Sequence, residues 1–383
     1  MRKITLYLLA AVAAHLLCCD CTSKKNTTLD NEQNIVTHAS LLQMQPVGVG
    51  YTLCQIMNPW RDNEAMAQYL LVPKSDKTWS DEKLAALGIS GGCQIIRTPL
   101  ERMTVTTACH TWLLLQLDAT KQIGALCDTA YIASKEVKEW LRQHPEIADA
   151  GQSTTPNTEV ILKEKSEAVW ISPFENADLN SLQHLPTTLI YCADYMENSP
   201  LARAEWMRFF GRLVGKGDEA DALFADIQSR YDSLRQVAQD KYAEGKKPML
   251  LAEFPYGATW YVPGGNSTTA HLYQDAGYCY PWSDDTHAGS LSLSLEAVLA
   301  KAGECDKWLI KYMDDAGDWS LQQFVEQNPY YGQFKAARNG EVWGCNTAQS
   351  DFFDVTPFRP DVLLESLVNE DGSFFKRLAT NEE

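Results

Sequence analysis

The feature that most narrows what this chain can fold into is one long helical stretch, from about Asp218 to Tyr242, set between two runs of alternating strands and helices. It follows the breaker Gly215-Lys216-Gly217, and its apolar positions Ala220, Leu223, Ile227, Tyr231, Leu234 and Ala238 step by three and four, which puts them on one face. At 1.5 Å per residue such a helix reaches roughly 37 Å, enough to cross between two lobes.

Upstream, the β-branched run Met103 to Thr107 leads into the helix-like Cys109 to Leu117 and the strand-like Ile123 to Leu126. The rhythm continues through KEVKEWLRQH, a short strand end at DAG, TEVILKEK, AVWISPF and TTLIYCA, and then a helical stretch from Leu201 to Val214. Downstream it resumes with PMLLAEF and ATWYVP as strands and a helix from Ser267 to Ala276. SLEAVLAKA and LQQFVEQ follow as helices, KWLIKYM and EVWGC as strands, and PDVLLESLV as a closing helix. Alternation of this kind predicts parallel sheets flanked by helices. From Pro46 to Pro73, VGVGYTLCQI, the polar break NPWRDNEA and AQYLLVP read as a β-hairpin added to the first lobe. The predicted class is therefore α/β, with a first lobe over 34–214, a linking helix over 215–245 and a second lobe over 246–383.

The chain opens with Met1-Arg2-Lys3 and an apolar run from Ile4 to Leu17, the layout of a secretory signal over residues 1–18. The run is shorter than the roughly 20 residues that span a bilayer. Leu16-Leu17-Cys18-Cys19 resembles a bacterial lipobox, with Cys19 as the acylated residue and Cys18 as the alternative. Residues 19–33 are polar and read as a flexible tether. A formal charge of −17 disfavours nucleic acid and anionic lipid as partners. Three of the 11 cysteines sit at the cleavage site, and the others are scattered without metal-binding spacing, so they read mostly as small buried residues.

The order of elements, together with YCADYMENSPLARAEWMRFFGRLVGKGDEADALF, GATWYVPGGNSTTAHL, SLSLEAVL and FKAARNGEVWG, resembles the substrate-binding proteins of iron-complex and vitamin B12 ABC importers. The likeness runs from about Arg102 to Leu367. It implies two Rossmann-like lobes that barely hinge, a siderophore, haem or corrinoid held between them, and no permanently bound cofactor. It also implies a lipid-anchored position on the periplasmic side of the membrane, delivery to a permease dimer, and an acidic docking residue on each lobe. Glu136 matches in the first lobe; in the second, Asp275 or the pair Asp284 and Asp285 are open alternatives.

Ligands of open α/β sheets bind on the loops after the strands. In the first lobe those loops carry Thr106, Thr107, Cys109, His110 and Trp112, then Asp128 to Tyr131, then Phe174-Glu175-Asn176. The second lobe offers Tyr256, Trp260, Tyr261, Asn266, Ser267 and His271, with Tyr280 and Trp282 nearby. Flat aromatic faces beside a few polar groups suit a broad chelate. The ligand-binding set expected is Thr107, His110, Trp112, Tyr131, Tyr256, Trp260, Tyr261 and Asn266, with His110 or Tyr131 on the metal only if the ligand is haem. Arg61 and Arg359 are the arginines to watch for an anionic ligand.

Gly88-Ile89-Ser90-Gly91-Gly92 fits G-x-S-x-G, but a helix-like stretch precedes it and a strand-like one follows, the reverse of a nucleophile elbow. Gly211 to Gly217 lacks Walker spacing. The competing reading is an exported chelatase or hydrolase acting on a tetrapyrrole or chelate, with Asp194 and Glu197 as its acid/base pair.

Overall fold

The computed structural model describes residues 34–89, 92–243 and 245–380. The signal segment, Cys18, Cys19 and the tether lie outside the described residues, as do Ser90 and Gly91. Among the described residues no helix is long and apolar enough to cross a membrane.

The first lobe is built on five parallel strands in the order Thr188–Tyr191, Ala168–Ile171, Met103–Val105, Ile123–Leu126, Ala148–Asp149. Ala168–Ile171 and Ile123–Leu126 are buried at every position, as strands covered on both faces must be. Chain order reverses between Met103–Val105 and Ala168–Ile171, which makes the loops after these two strands the topological switch point. The second lobe repeats the plan with Leu250–Ala252, Lys307–Tyr312 and Val342–Asn346 in parallel and Lys376–Arg377 as an antiparallel edge. Trp260–Pro263 pairs with Ser290–Leu293 in a separate ribbon.

The N-terminal addition is larger than a hairpin. Leu42–Val47, Tyr51–Met57 and Ala65–Pro73 form an antiparallel meander, and Gln94–Thr98 joins its edge in parallel. The stretch read as strand at VGVG is instead the first turn, where Gly48 and Gly50 take φ values of 59° and 79° that favour glycine. Segment 37–41 is pinned to the first lobe by two buried carboxylates. Glu205 accepts the backbone N–H groups of Thr37, His38 and Ala39, and Glu197 accepts those of Ser40 and Leu41.

The long helix runs from Gly217 to Lys241, and its apolar stripe is divided between two cores. Ala220, Phe224 and Ile227 pack into the first lobe, and Tyr231 and Ala238 into the second. A segment near the chain's end crosses the other way. Asp354 accepts N–H groups from Ala133 and Ser134 at 2.9 and 2.6 Å, and Phe358 is buried in the first-lobe core. Thr268 Oγ1 donates to the Glu197 carbonyl, and His271 Nδ1 bonds the Asn198 carbonyl. The lobes are thus stapled at several separate points, a geometry that resists hinging. The eight described cysteines are free thiols, and six of them are buried.

Candidate ligand cleft

Between the lobes lies a cavity of about 600 Å³ whose walls include Tyr195 and Arg203 from the first lobe and Tyr256, Tyr261, Glu253 and Lys311 from the second. Tyr195 follows the strand Thr188–Tyr191, and its hydroxyl donates to the Pro173 carbonyl, fixing the ring at the rim. Tyr256 is 85% exposed on the loop after Leu250–Ala252. Tyr261 points outward because Trp260–Pro263 alternates, burying Trp260 and exposing its neighbour. Tyr131, Phe174, Met313 and Phe353 are also large exposed apolar side chains, and each follows a parallel strand of its lobe. Water-facing aromatics collected at the strand ends of both lobes form a surface that gains by being covered.

Two cations enter the cleft, one from each lobe. Arg203 stands on the helix Pro200–Glu205, whose start is fixed by the Ser199 hydroxyl and by proline in its first turn. Its Nε donates to Asp194 Oδ2 at 3.3 Å, while its terminal nitrogens have no hydrogen-bond partner among the described residues. Asp194 is in turn bonded by His110 Nε2 at 3.1 Å, and His110 Nδ1 meets Thr107 Oγ1 at 2.6 Å. Burial alone would raise the Asp194 carboxyl, but His110 and Arg203 outweigh it and hold the group below its ordinary value. The chain Thr107–His110–Asp194 therefore orients a guanidinium that is open on its far side. Lys311 pairs with Glu253. Glu253 holds φ 65°, a left-handed conformation costing a non-glycine residue about 1–3 kcal/mol. Its amide donates to the Leu309 carbonyl and its carbonyl accepts Trp308 Nε1 at 2.7 Å. Strain of this kind is found where a site demands it.

The residues expected from the loops divide three ways. Tyr256 and Tyr261 line the cleft, with Ser267 beside them. Thr107 and Asn266 are half-buried, and Tyr131 is exposed on its own turn; none of these three lines the cavity. His110, Trp112 and Trp260 are corrections to the expected set. His110 is 1% exposed, has both ring nitrogens engaged, and is ringed by Trp170, Phe210 and Phe358, so it has no lone pair to offer a metal. Trp112 belongs to the first-lobe core, and Trp260 stacks on Trp308 in the second. The displacement has a structural cause. The crossing segment Phe352–Phe358 packs over the switch point of the first sheet, so the open space lies beside it, at the loop after Thr188–Tyr191.

Arg61 pairs with Glu64 on an exposed turn, and Arg359 makes a bidentate pair with Asp361; neither reaches the cleft. Arg203 and Lys311 went unnoticed because both lie inside regular elements rather than on loops. Glu197 has its two oxygens filled by Ser40, Leu41 and Trp206 Nε1, and Asp194 is committed to His110 and Arg203. Asp194 and Glu197 are therefore not available as the acid/base pair of the chelatase or hydrolase reading. Glu136 is exposed on the first turn of Lys135–Gln143 and accepts from Gln116. Asp275 is half-buried and accepts the Tyr231 hydroxyl at 2.6 Å.

Residues 105–347 match the sequence profile of the family described as periplasmic binding protein. An uncharacterised lipoprotein of Methanocaldococcus jannaschii is 24% identical, over 96% of this chain and 92% of its own. Among solved structures, a periplasmic haem-binding protein from Pseudomonas aeruginosa superposes with a TM-score of 0.57 at 15% identity, covering 73% of this chain and 98% of its own. An ABC-type ferric hydroxamate transport protein from Saccharomonospora viridis gives 0.55 at 18%, covering 72% and 94%. A vitamin B12 binding protein from Vibrio cholerae gives 0.51 at 16%, covering 71% and 96%. These likenesses concern the fold, and the family match begins after the N-terminal sheet.

Proposed function

This chain belongs to the periplasmic binding protein family, a family of substrate-binding transport proteins rather than enzymes, and on that premise we propose that it captures an organic metal chelate outside the cytoplasmic membrane and delivers it to an ABC importer. The observation that carries the reading is the interlobe cleft, with exposed Tyr195, Tyr256 and Tyr261 around the open guanidinium of Arg203. Aromatic faces cover a broad ligand with little loss of side-chain freedom, and a guanidinium takes up its negative charge through planar paired donors. The chelate is cargo, released intact: an iron siderophore, haem or a corrinoid. A frame that already holds its bound shape spends little affinity on reorganisation, so release falls to the permease. Lipidation at Cys19 would keep the protein at the membrane surface, and Glu136 would meet the permease from the first lobe.

Titration of the purified protein with haem, cobalamin and a panel of ferric siderophores tests the reading through tryptophan fluorescence and the ligands' visible spectra. One of the three classes should bind with saturable quenching. If none binds, the chelate reading fails. Palmitate labelling that persists in Cys19→Ala and vanishes in Cys18→Ala would move the anchor by one residue.

A further inference from the structure

A second, smaller cavity of about 200 Å³ opens off the cleft, and the two share Arg203, Thr268, Thr269 and Lys311 on their walls. Anything that extends from one into the other therefore passes both cations. Beyond them the walls turn apolar, with Leu272, Phe352, Leu363 and Phe375. The space is below the roughly 300–1,000 Å³ of a site that encloses a whole small ligand, but it is ample for one short arm. Tyr273 also lines it, 2% exposed, and its hydroxyl has no hydrogen-bond partner among the described residues. Burial, with the charge of Glu253 adding to it, drives the Tyr273 phenol well above its ordinary value and keeps its proton in place as a donor. The pocket thus offers a neutral donor in its wall and, at its mouth, the open guanidinium of Arg203 beside Lys311, which is held in its ion pair with Glu253.

Resting on the chelate reading, we infer that this side pocket is a subsite for one short arm of the cargo, with an apolar stem and an anionic group. The body of the chelate occupies the larger cavity against Tyr195, Tyr256 and Tyr261. The anionic group of the arm is met by the terminal nitrogens of Arg203 and by the Tyr273 hydroxyl, with Lys311 beside them in its pair with Glu253. Asp194 acts as a positioning residue for this subsite, since it fixes Arg203 through Nε and leaves the other nitrogens free.

The test uses two matched pairs of probes on the full-length protein. One is haem and its dimethyl ester, in which both carboxylates are masked. The other is a linear ferric trihydroxamate with a free amine end and the same complex after succinylation. The wild type should prefer the carboxylate-armed member of at least one pair by tenfold or more. Tyr273→Phe, which keeps the ring and its packing, should narrow that ratio by about threefold or more, and Leu272→Trp, which fills the pocket, should bring it close to one. Equal affinity for both members of each pair that binds would overturn the subsite while leaving chelate capture standing. A preference untouched by both substitutions would overturn it as well. Failure of all four probes to bind would overturn the subsite; the chelate reading would fall with it only if cobalamin and the wider siderophore panel also failed to bind.

Discussion

At the residue scale, the largest departure from expectation is the relocation of His110 from ligand to scaffold. Its neighbours in sequence, a threonine and the start of a helix after a strand, are those of a binding loop, and nothing local reveals that Phe358 arrives from nearly 250 positions away to cover it. His110→Ala should cost about 3 kcal/mol or more, because it opens a void among Trp170, Phe210 and Phe358 and strips a partner from buried Asp194. Urea unfolding measures that loss, and if the cargo is haem its bound visible spectrum should survive in the fraction that folds. Asp194 gives a pH signature of defined sign. A carboxyl held below its ordinary value of about 3.9 contributes stability above that pH and loses it as pH falls through the folded value. The stability gap between wild type and Asp194→Asn should therefore be widest near about pH 6 and shrink toward about pH 3. A gap that widens on acidification would mean that the carboxylate is not the stabilised form.

At the scale of elements, the sequence was most legible where periodicity was strong. The stripe of the linking helix lies where its spacing placed it, although Phe224, one position off the pattern, also turns inward. The parallel strands were found because both faces are covered and each reads as an apolar run. What local sequence hid was pairing. Ser290–Leu293, just ahead of the stretch SLEAVLAKA read as a helix, becomes a strand only because Trp260–Pro263 lies beside it. Leu42–Val47 was missed because its polar positions and Pro46 mask a strand that pairs with Tyr51–Met57. The alternation within ATWYVP could have told the buried Trp260 from the cleft-facing Tyr261. Arg203 had no such signal, since a helix interior does not announce that its outward face meets another lobe. Gly264 is a legible element: a Cβ there would run into the carbonyls of His287 and Gly289. The glycine lets the loop ending at Ser290 lie close enough to wall the cleft. Gly264→Ala should push that loop away, lowering ligand affinity severalfold and increasing protease cleavage between Ser283 and Gly289. Unaltered affinity and cleavage would show that the loop wall does not depend on this close approach.

For the whole molecule, one helix shared between two cores and a set of crossing hydrogen bonds describe a frame built in its binding shape. Small-angle scattering should give the same radius of gyration with and without saturating ligand. A clear contraction on binding would point to hinge closure and undercut the rigid-frame account. The most direct test of the central claim compares affinities among three alanine variants, at Arg203, Arg61 and Glu136, using whichever chelate binds the wild type. The eleven tryptophans supply the fluorescence signal. Arg203→Ala should weaken binding tenfold or more, because it removes the open guanidinium from the cleft, whereas Arg61→Ala, on the distant N-terminal turn, and Glu136→Ala, on the outer helix, should bind like the wild type. Wild-type affinity in Arg203→Ala, or an equal loss in Arg61→Ala, would contradict the placement of the ligand between the lobes.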